Sequence, residues 1–431
     1  MLHLNSLRIA TVGFALAVAA TAAPLVSSAA DRLLTDKDLK KVSGKVSDWY
    51  EAIAEGKGKM EAEADIREEL GKLNGKNRKL KGTTLLASPE DLGAMIYLSN
   101  KFDRKQPKRG AGKVMERTVD NGARGTVEYA LWSPAKYKAK SGPYPLIITL
   151  PEEGENPKAH ISNRWVSGAL RESTIIASPK MPGDSGKWSE LEGLTAVMLT
   201  LRNVSEIYAI DFDRVFIGGR QLGGEAALAI ANMFPSRFAG AFCWAGDAGD
   251  GIPVENLKHL PVLISGGGSK ATAFEERAKE AGVEGVTLVA SGGEDAIIEW
   301  MSALKRNSYP TSFSLIPGAT FPTNAYWLQV PRLPDVAGVR VDVEVNREQN
   351  TITLTGAGLT EVTLYLSDAI VDMSKPVVVI ANGKRYEDQF ERSFRVFLDM
   401  LYAGKVDPGR VFVASKQYYL PDLSGGGESD G

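Results

Sequence analysis

Hydrophobic positions near the N-terminus recur at steps of three and four residues, which places them on one face of an α-helix. This face consists of Leu39, Val42, Val46, Trp49 and Ile53. A second, charged helix is predicted over residues 60–73. A third begins at Ser88-Pro89-Glu90-Asp91, because serine caps free N–H groups, proline fits the first turn and acids suit the positive end of the helix dipole. The pattern therefore predicts a helical N-terminal region.

From about residue 114 the pattern changes. Runs at 114–119 and 126–132 flank Asp120-Asn121-Gly122, which predicts a hairpin. Short apolar strands then alternate with helices. The predicted strands are 146–150, 174–177, 215–218, 239–244, 262–265, 286–290 and 312–316, and the predicted helices are 191–207, 223–234, 271–281 and 296–306. Uniformly apolar strands between helices predict an α/β fold with a mostly parallel sheet covered on both faces.

Near Pro331 the periodicity becomes that of β-strands, with alternation over 339–345 and further runs at 351–355, 362–366 and 377–381. Asn382-Gly383 is a hairpin turn signal, and one helix is predicted over 389–401. The predicted organisation is a signal peptide 1–30, a helical region 31–110, an α/β domain 111–330, a β-rich module 331–421 and a disordered tail 422–431.

The composition is that of an ordinary globular protein. The chain has 431 residues, of which 43% are hydrophobic and 24% charged, and its formal net charge is −2. This charge gives no electrostatic reason to expect nucleic acid or an anionic membrane as a partner. Cys243 is the single cysteine, which excludes an intrachain disulfide.

The first 30 residues are typical of a secretory signal. Arg8 precedes an apolar run over 9–26, and small residues at 27–30 suit cleavage. A membrane anchor is the alternative, although the run is short for a membrane span. We therefore expect an exported protein, periplasmic or at the cell surface of a bacterium, with no membrane span after signal removal.

The most informative motif is Gly219-Arg220-Gln221-Leu222-Gly223, which follows the apolar run 215–218. It fits the frame G-x-S-x-G, in which a serine nucleophile sits on a tight turn between a strand and a helix. Gln221 occupies the serine position, and a carboxamide cannot form an acyl-enzyme.

The chain resembles secreted α/β-hydrolases of the esterase and prolyl-oligopeptidase-like type over residues 111–330. The segments that carry the resemblance are 144–150, 210–219, 223–229, 234–240 and 260–264, together with the elbow motif. The resemblance implies an α/β-hydrolase-like sheet between the N-terminal helical region and the C-terminal β-rich module.

The same resemblance implies a degenerate catalytic triad. The loop expected to hold the acid reads Ser265-Gly-Gly-Gly-Ser-Lys270, without a carboxylate, and Glu294 follows Gly292-Gly293 where such enzymes commonly have histidine. The degenerate triad positions are therefore Gln221, Lys270 and Glu294. The oxyanion loop, at 151–155, contains a proline and three glutamates, which oppose a developing negative charge.

Four other side chains have chemistry to consider. His3 lies in the signal, and His259 precedes a strand, where a structural role is expected. His160 follows the oxyanion-loop strand, and a solvated or capping role is favoured over catalysis. Cys243 lies mid-strand and is expected to be an inert packing residue.

Several polar residues follow predicted strand ends, where doubly wound sheets place ligands. The candidate crevice residues are Glu152, Glu153, Arg220, Gln221, Leu222, Asp247 and Glu294. We favour a role for the acids among them, and for Asp250, as solvated loop residues. The alternative is that two of them act as an acid/base pair or bind a cation. The glycine-rich stretch 218–224 has no Walker lysine and does not have Rossmann spacing. No cofactor and no metal are expected.

The sequence therefore predicts an exported, non-catalytic α/β-hydrolase-fold protein that binds an unknown small molecule, polymer or protein partner. One alternative is an active esterase or peptidase with an unusual site. A second is a structural envelope protein whose helical and β modules carry the function.

Overall fold

The computed structural model describes residues 32–76, 85–100, 102, 110–182, 187–188, 190–249 and 251–421. The predicted signal, the predicted tail and Asp250 lie outside the described residues. Among the described residues, no helix is long and apolar enough to cross a membrane.

Three N-terminal helices match the predicted pattern: α1 (Asp36–Glu55), α2 (Lys59–Lys76) and α3 (Pro89–Ser99). The predicted apolar face of α1 is buried, except that Ile53 is only partly so. Ser88 caps α3, since its hydroxyl accepts the Asp91 N–H at 3.2 Å. The buried Asp91 carboxylate in turn accepts the N–H groups of Leu33 and Leu34, which fastens the chain before α1 to α3.

The central domain contains one eight-stranded sheet. Its strands are β1 (Met115–Asp120), β2 (Thr126–Trp132), β3 (Tyr144–Leu150), β4 (Ile175–Pro179), β5 (Ile210–Arg220), β6 (Gly240–Trp244), β7 (Val262–Ser265) and β8 (Val286–Val289). Their order is β1-β2-β4-β3-β5-β6-β7-β8, and the six strands β3 to β8 run parallel to one another. Strands β1 and β2 form the predicted hairpin, and β2 is antiparallel to β4.

Helices occupy the connections of this sheet. They are α4 (Pro157–Arg164), α5 (Gly168–Ser173), α6 (Leu191–Ile207), α7 (Leu222–Met233), α8 (Ser269–Glu280) and α9 (Glu294–Ser302). The sequence pattern missed α4 and α5, whose short lengths give little periodicity. Two apolar clusters fill the two faces of the sheet, so the predicted α/β-hydrolase-like architecture is confirmed.

The C-terminal module has two sheets. The strands are β9 (Ser312–Leu315), β10 (Thr323–Ala325), β11 (Leu328–Val330), β12 (Arg340–Asn346), β13 (Thr351–Ala357), β14 (Glu361–Leu366), β15 (Val377–Ala381), β16 (Lys384–Asp388) and β17 (Ala414–Tyr419), with one helix, α10 (Phe394–Tyr402). The five-stranded sheet has the order β16-β15-β13-β12-β9, and the four-stranded sheet has the order β10-β11-β14-β17. The Asn382-Gly383 hairpin is confirmed, with both residues at positive φ.

The placement of residues 312–316 in the parallel sheet was wrong. Strand β9 pairs antiparallel with β12, and β11 pairs with β14, so these segments belong to the module that follows them. A short apolar strand has the same pattern in either sheet, and its partner decides where it goes.

The N-terminal helices and the C-terminal module share one hydrophobic core. Trp49 of α1 and Leu92 of α3 belong to the same buried cluster as Val343, Leu364 and Phe397 of the module. The eight-stranded domain is thus an insertion between two segments that fold together.

A buried ionic cluster joins this two-part unit to the central domain. Arg306 donates hydrogen bonds to Asp407 at 2.7 and 2.9 Å and to Asp213, near the amino end of β5, at 3.1 Å. Burial opposes ionisation of Asp407, but Arg306 and Arg410 outweigh it and lower the pKa of this carboxyl to about 2. His259, before β7, contacts the Ser312 carbonyl at 2.6 Å. The unit therefore docks at the amino ends of the parallel strands and leaves their carboxyl ends for the crevice.

Candidate functional site

Gln221 forms a tight turn between β5 and α7, with φ 50° and ψ −125°. This is a strained backbone conformation for a residue with a side chain, costing about 1–3 kcal/mol. The turn is held by hydrogen bonds from the Gln221 N–H to the Trp244 carbonyl at 2.9 Å and from the N–H groups of Gly224 and Glu225 to the Gln221 carbonyl at 2.9 and 3.0 Å. The geometry is that of a nucleophile elbow.

Glycines permit this turn because neighbouring backbone comes very close. A Cβ on Gly219 would lie 2.5 Å from the Leu150 carbonyl oxygen. One on Gly223 would lie 2.5 Å from the carbonyl oxygens of both Leu150 and Pro151. The motif therefore conserves the packing of a hydrolase elbow in this chain while the Gln221 carboxamide replaces the reactive group.

The other two positions predicted to form a degenerate triad have different surroundings. Lys270 is exposed in the first turn of α8. The Glu294 carboxylate accepts the N–H groups of Val166 and Ser167 at 3.0 and 2.9 Å, so it ties the start of α9 to the segment before α5. Glu294 thus has a structural role in place of an imidazole.

The acids of the oxyanion loop are largely neutralised by arginines. Arg220 pairs with Glu152, and Arg164 reaches Glu152 at 3.5 Å and Glu155 at 3.3 Å. Glu152 and Arg220, both predicted crevice residues, are therefore brought together as partners. The expectation of a solvated acid was wrong for Glu152, because α4, which the pattern missed, supplies Arg164.

Two further acids of the predicted crevice are not part of this network. Glu153 is exposed, as expected of a solvated loop acid. Asp247 is half-buried and its carboxylate accepts the N–H of the next residue, Ala248, at 3.0 Å. Among the described residues, no group of three or more His, Cys, Asp or Glu side chains is arranged to hold a metal ion.

A chain of hydrogen bonds lies directly beneath the oxyanion loop. Thr149 Oγ1 is 2.8 Å from His160 Nε2, and His160 Nδ1 is 2.6 Å from the Glu155 carboxylate. The Trp165 indole N–H also donates to Thr149 Oγ1, at 3.2 Å. The hydrophobic pattern did not reveal this arrangement. Asn156-Pro157, at the start of α4, is a helix signal, and a helix beginning there places His160 on a buried face.

The chain of Thr149, His160 and Glu155 has the connectivity of a nucleophile, a base and an acid, but not their accessibility. Thr149 is 0% and His160 1% exposed. Burial lowers the pKa of His160 below its ordinary value, although Glu155 opposes this effect. The predicted solvated or capping role of His160 was wrong, since both ring nitrogens are engaged inside the domain.

Cys243 lies under the elbow as a packing residue. Its thiol is buried, 3.4 Å from the Asp247 carbonyl oxygen. Burial, with smaller contributions from Glu225 and Asp247, raises its pKa to about 12. A thiol that holds its proton at neutral pH is a poor nucleophile, which agrees with the inert role predicted for it.

The surface beside Gln221 is partly apolar. The half-buried Trp244 packs edge-on against Trp165, with ring centroids 6.1 Å apart. Leu222 and Val166, the neighbours of Gln221 and Trp165, are 55% and 59% exposed.

Comparison with known proteins gives distant matches only. No family model and no curated protein matches the chain. Among solved structures, a thermostable esterase is 21% identical with TM-score 0.39, and the match covers 45% of this chain and 64% of that one, just under two thirds of its length. A ferulic acid esterase is 15% identical with TM-score 0.36, covering 44% of this chain and 94% of that one.

An S-formylglutathione hydrolase from Agrobacterium tumefaciens is 16% identical with TM-score 0.36, covering 45% of this chain and 96% of that one. Matches this distant carry no argument about activity. The strand order and the elbow at the end of β5 identify the central domain as an α/β-hydrolase fold.

Proposed function

We propose that this protein is a non-catalytic member of the α/β-hydrolase fold that acts by binding a ligand or partner at the crevice around Gln221. The observation that carries the proposal is the elbow itself. It keeps the strained backbone and the close packing of a catalytic turn, yet it presents a carboxamide where a nucleophile belongs.

The surroundings of Gln221 support the proposal. The histidines among the described residues are both engaged elsewhere, His160 with Thr149 and Glu155 and His259 with the Ser312 carbonyl. Loss of nucleophile and base together lowers turnover on the order of a million-fold. The exposed Gln221, Leu222 and Val166 remain available for contact.

A fluorophosphonate probe and a p-nitrophenyl acetate assay on the purified protein test the non-catalytic part. We expect no covalent labelling and no hydrolysis above the buffer rate, with a serine esterase as positive control. Gln221→Ser is the matched variant, and we expect it to stay inactive because no imidazole faces the elbow. Specific labelling of the natural protein, lost after one crevice substitution, would contradict the proposal.

The binding part needs a separate measurement. A thermal-shift panel of uncharged and charged small molecules and peptides is compared between the natural protein and Gln221→Trp, which fills the crevice. We expect stabilising compounds to lose their effect in this variant and to keep it in Lys375→Ala, which removes an exposed side chain of the C-terminal module. Compounds that stabilise both variants equally bind elsewhere and count against the crevice.

A second candidate function is hydrolysis at an unusual site, and one observation favours it, the hydrogen-bonded chain of Thr149, His160 and Glu155. The burial of this hydrogen-bonded chain argues against a catalytic role for it. If it were catalytic, Thr149→Val would abolish ester hydrolysis without unfolding the protein. We further propose that the protein acts after export, which detection of a mature chain cleaved near Ala29 or Ala30 would test.

A further inference from the structure

The outer face of the four-stranded sheet carries a row of polar side chains. Gln329 of β11 lies directly opposite Thr363 of β14, which lies opposite Gln417 of β17. Directly paired residues project to the same face of a sheet. Their neighbours Leu328, Leu364 and Tyr418 alternate to the other face and are buried in the core, so the row of amide, hydroxyl and amide faces outward.

Lys405 stands at one end of this row. Its ammonium donates to Gln329 Oε1 at 2.6 Å, contacts the Tyr365 hydroxyl and lies 4.6 Å from the centre of the Tyr365 ring. These partners are neutral, and among the described residues no Asp or Glu forms an ion pair with Lys405. Burial lowers the pKa of Lys405. A half-buried cation without a counter-ion costs free energy, which an incoming anion would offset.

The other end of the row has a different character. Tyr419 lies on the same face as Gln417 and is 53% exposed, opposite Glu361. Ser415 lies opposite Tyr365, beside the lysine. The face therefore has the half-buried Lys405 at one end and neutral hydroxyls and amides along its middle. At the other end the exposed Tyr419 ring lies opposite Glu361, with the Lys384 ammonium 5.7 Å from the ring centre.

We propose that this face binds a saccharide that bears a carboxylate. Lys405 pairs with the carboxylate, and Gln329, Thr363 and Gln417 exchange hydrogen bonds with the sugar hydroxyls. The Tyr419 ring packs against an apolar sugar face. This site is separate from the crevice and does not rest on the function proposed for it.

Titration of the full chain with trigalacturonate, neutral galactotriose and acetate, followed by ligand-observed NMR, tests the proposal. We expect trigalacturonate to bind and the other two to bind at least tenfold more weakly. Lys405→Met and Tyr419→Ala should each weaken trigalacturonate binding at least fivefold. Lys180→Met, the loss of an exposed lysine on the central domain, is the matched control and should leave binding unchanged.

Several outcomes would overturn the proposal. Equal binding of galactotriose excludes a role for the carboxylate, and equal binding of acetate excludes a saccharide. No binding of trigalacturonate, or equal binding by the natural protein and the folded Tyr419→Ala variant, excludes this face. A thermal melt of Lys405→Met separates lost binding from lost folding, and Tyr419→Ala keeps the test decisive if the lysine variant unfolds.

Discussion

The elbow at Gln221 and the buried chain of Thr149, His160 and Glu155 each hold one half of a hydrolase active site. The elbow has the backbone geometry and the exposure, but its side chain is a carboxamide. The buried chain has a hydroxyl, an imidazole and a carboxylate within 2.8 and 2.6 Å, but solvent does not reach the hydroxyl. A hydrolase nucleophile must be both activated and accessible, and these two properties are divided between the two regions.

The difference also shows what each region contributes to stability. The elbow stores strain that packing against Leu150 and Pro151 holds in place. The buried chain satisfies polar groups that would otherwise be costly inside the domain. Relief of the strain at Gln221 should therefore stabilise the protein, whereas breaking the buried chain should destabilise it.

The largest effect is expected for Gly223→Ala at the elbow. The added methyl would lie 2.5 Å from two carbonyl oxygens, and backbone cannot yield as a side chain does. We expect a loss of about 3 kcal/mol or more in the free energy of unfolding, measured by urea denaturation. Ala226→Gly, later in α7, is a control for helix propensity, and a loss of under 1 kcal/mol in Gly223→Ala would mean that the elbow is loose.

His160→Ala should be the next largest. It removes the partner of Thr149 and Glu155 and leaves a buried cavity, so we expect a loss of about 2–4 kcal/mol in the same experiment. His259→Ala is the matched control, because His259 is only half-buried and has one polar contact. Equal losses in the two variants would contradict the special role of the buried chain.

The pH dependence of stability follows from the lowered pKa of His160, whose ordinary value is 6.5. Between the folded-state pKa and 6.5 the unfolded chain binds more protons, so stability falls as pH drops through this window. We expect a loss of about 1 kcal/mol between pH 7.5 and 5.5. His259 shifts in the same direction, so His160→Ala should flatten the profile partly, and an unchanged profile would exclude His160 as a source.

The smallest effect is expected for Gln221→Gly. Glycine relieves the strain at φ 50° but gains freedom in the unfolded chain. We expect a net stabilisation of about 0.5–1 kcal/mol, seen as a raised melting temperature. Gln221→Ala keeps the strain and should change stability little. Destabilisation by the glycine variant would mean that the carboxamide itself supports the fold.

Much of the fold was predictable because it rests on long periodic segments. The predicted α6 matches the structure over Leu191–Ile207, and the apolar face of α1 is buried as its spacing indicates. The partners of β9 and β11 were not predictable, since short strands carry no information about which sheet they join. The shared core of the two outer segments is likewise a long-range property.

The candidate site was predictable only where a motif names a conformation. The glycines around Gln221 indicated the elbow, and the structure places it there. The pairing of Glu152 with Arg164 and the burial of His160 depend on α4, which is too short for its period to be read. The chemistry of a site depends on such contacts. The residue types at strand ends therefore predicted which residues lie near Gln221, but not that arginines neutralise the acids among them.

The shared core of the N-terminal helices and the C-terminal module has a consequence for biosynthesis. Leu39 and Trp49 leave the ribosome hundreds of residues before Val343 and Phe397, with which they are buried. The whole central domain has been synthesised before the last residues of the shared core are available to pack. We therefore expect the early helices to remain uncovered during translation, and expression to depend on chaperones that shield them until the last strands arrive.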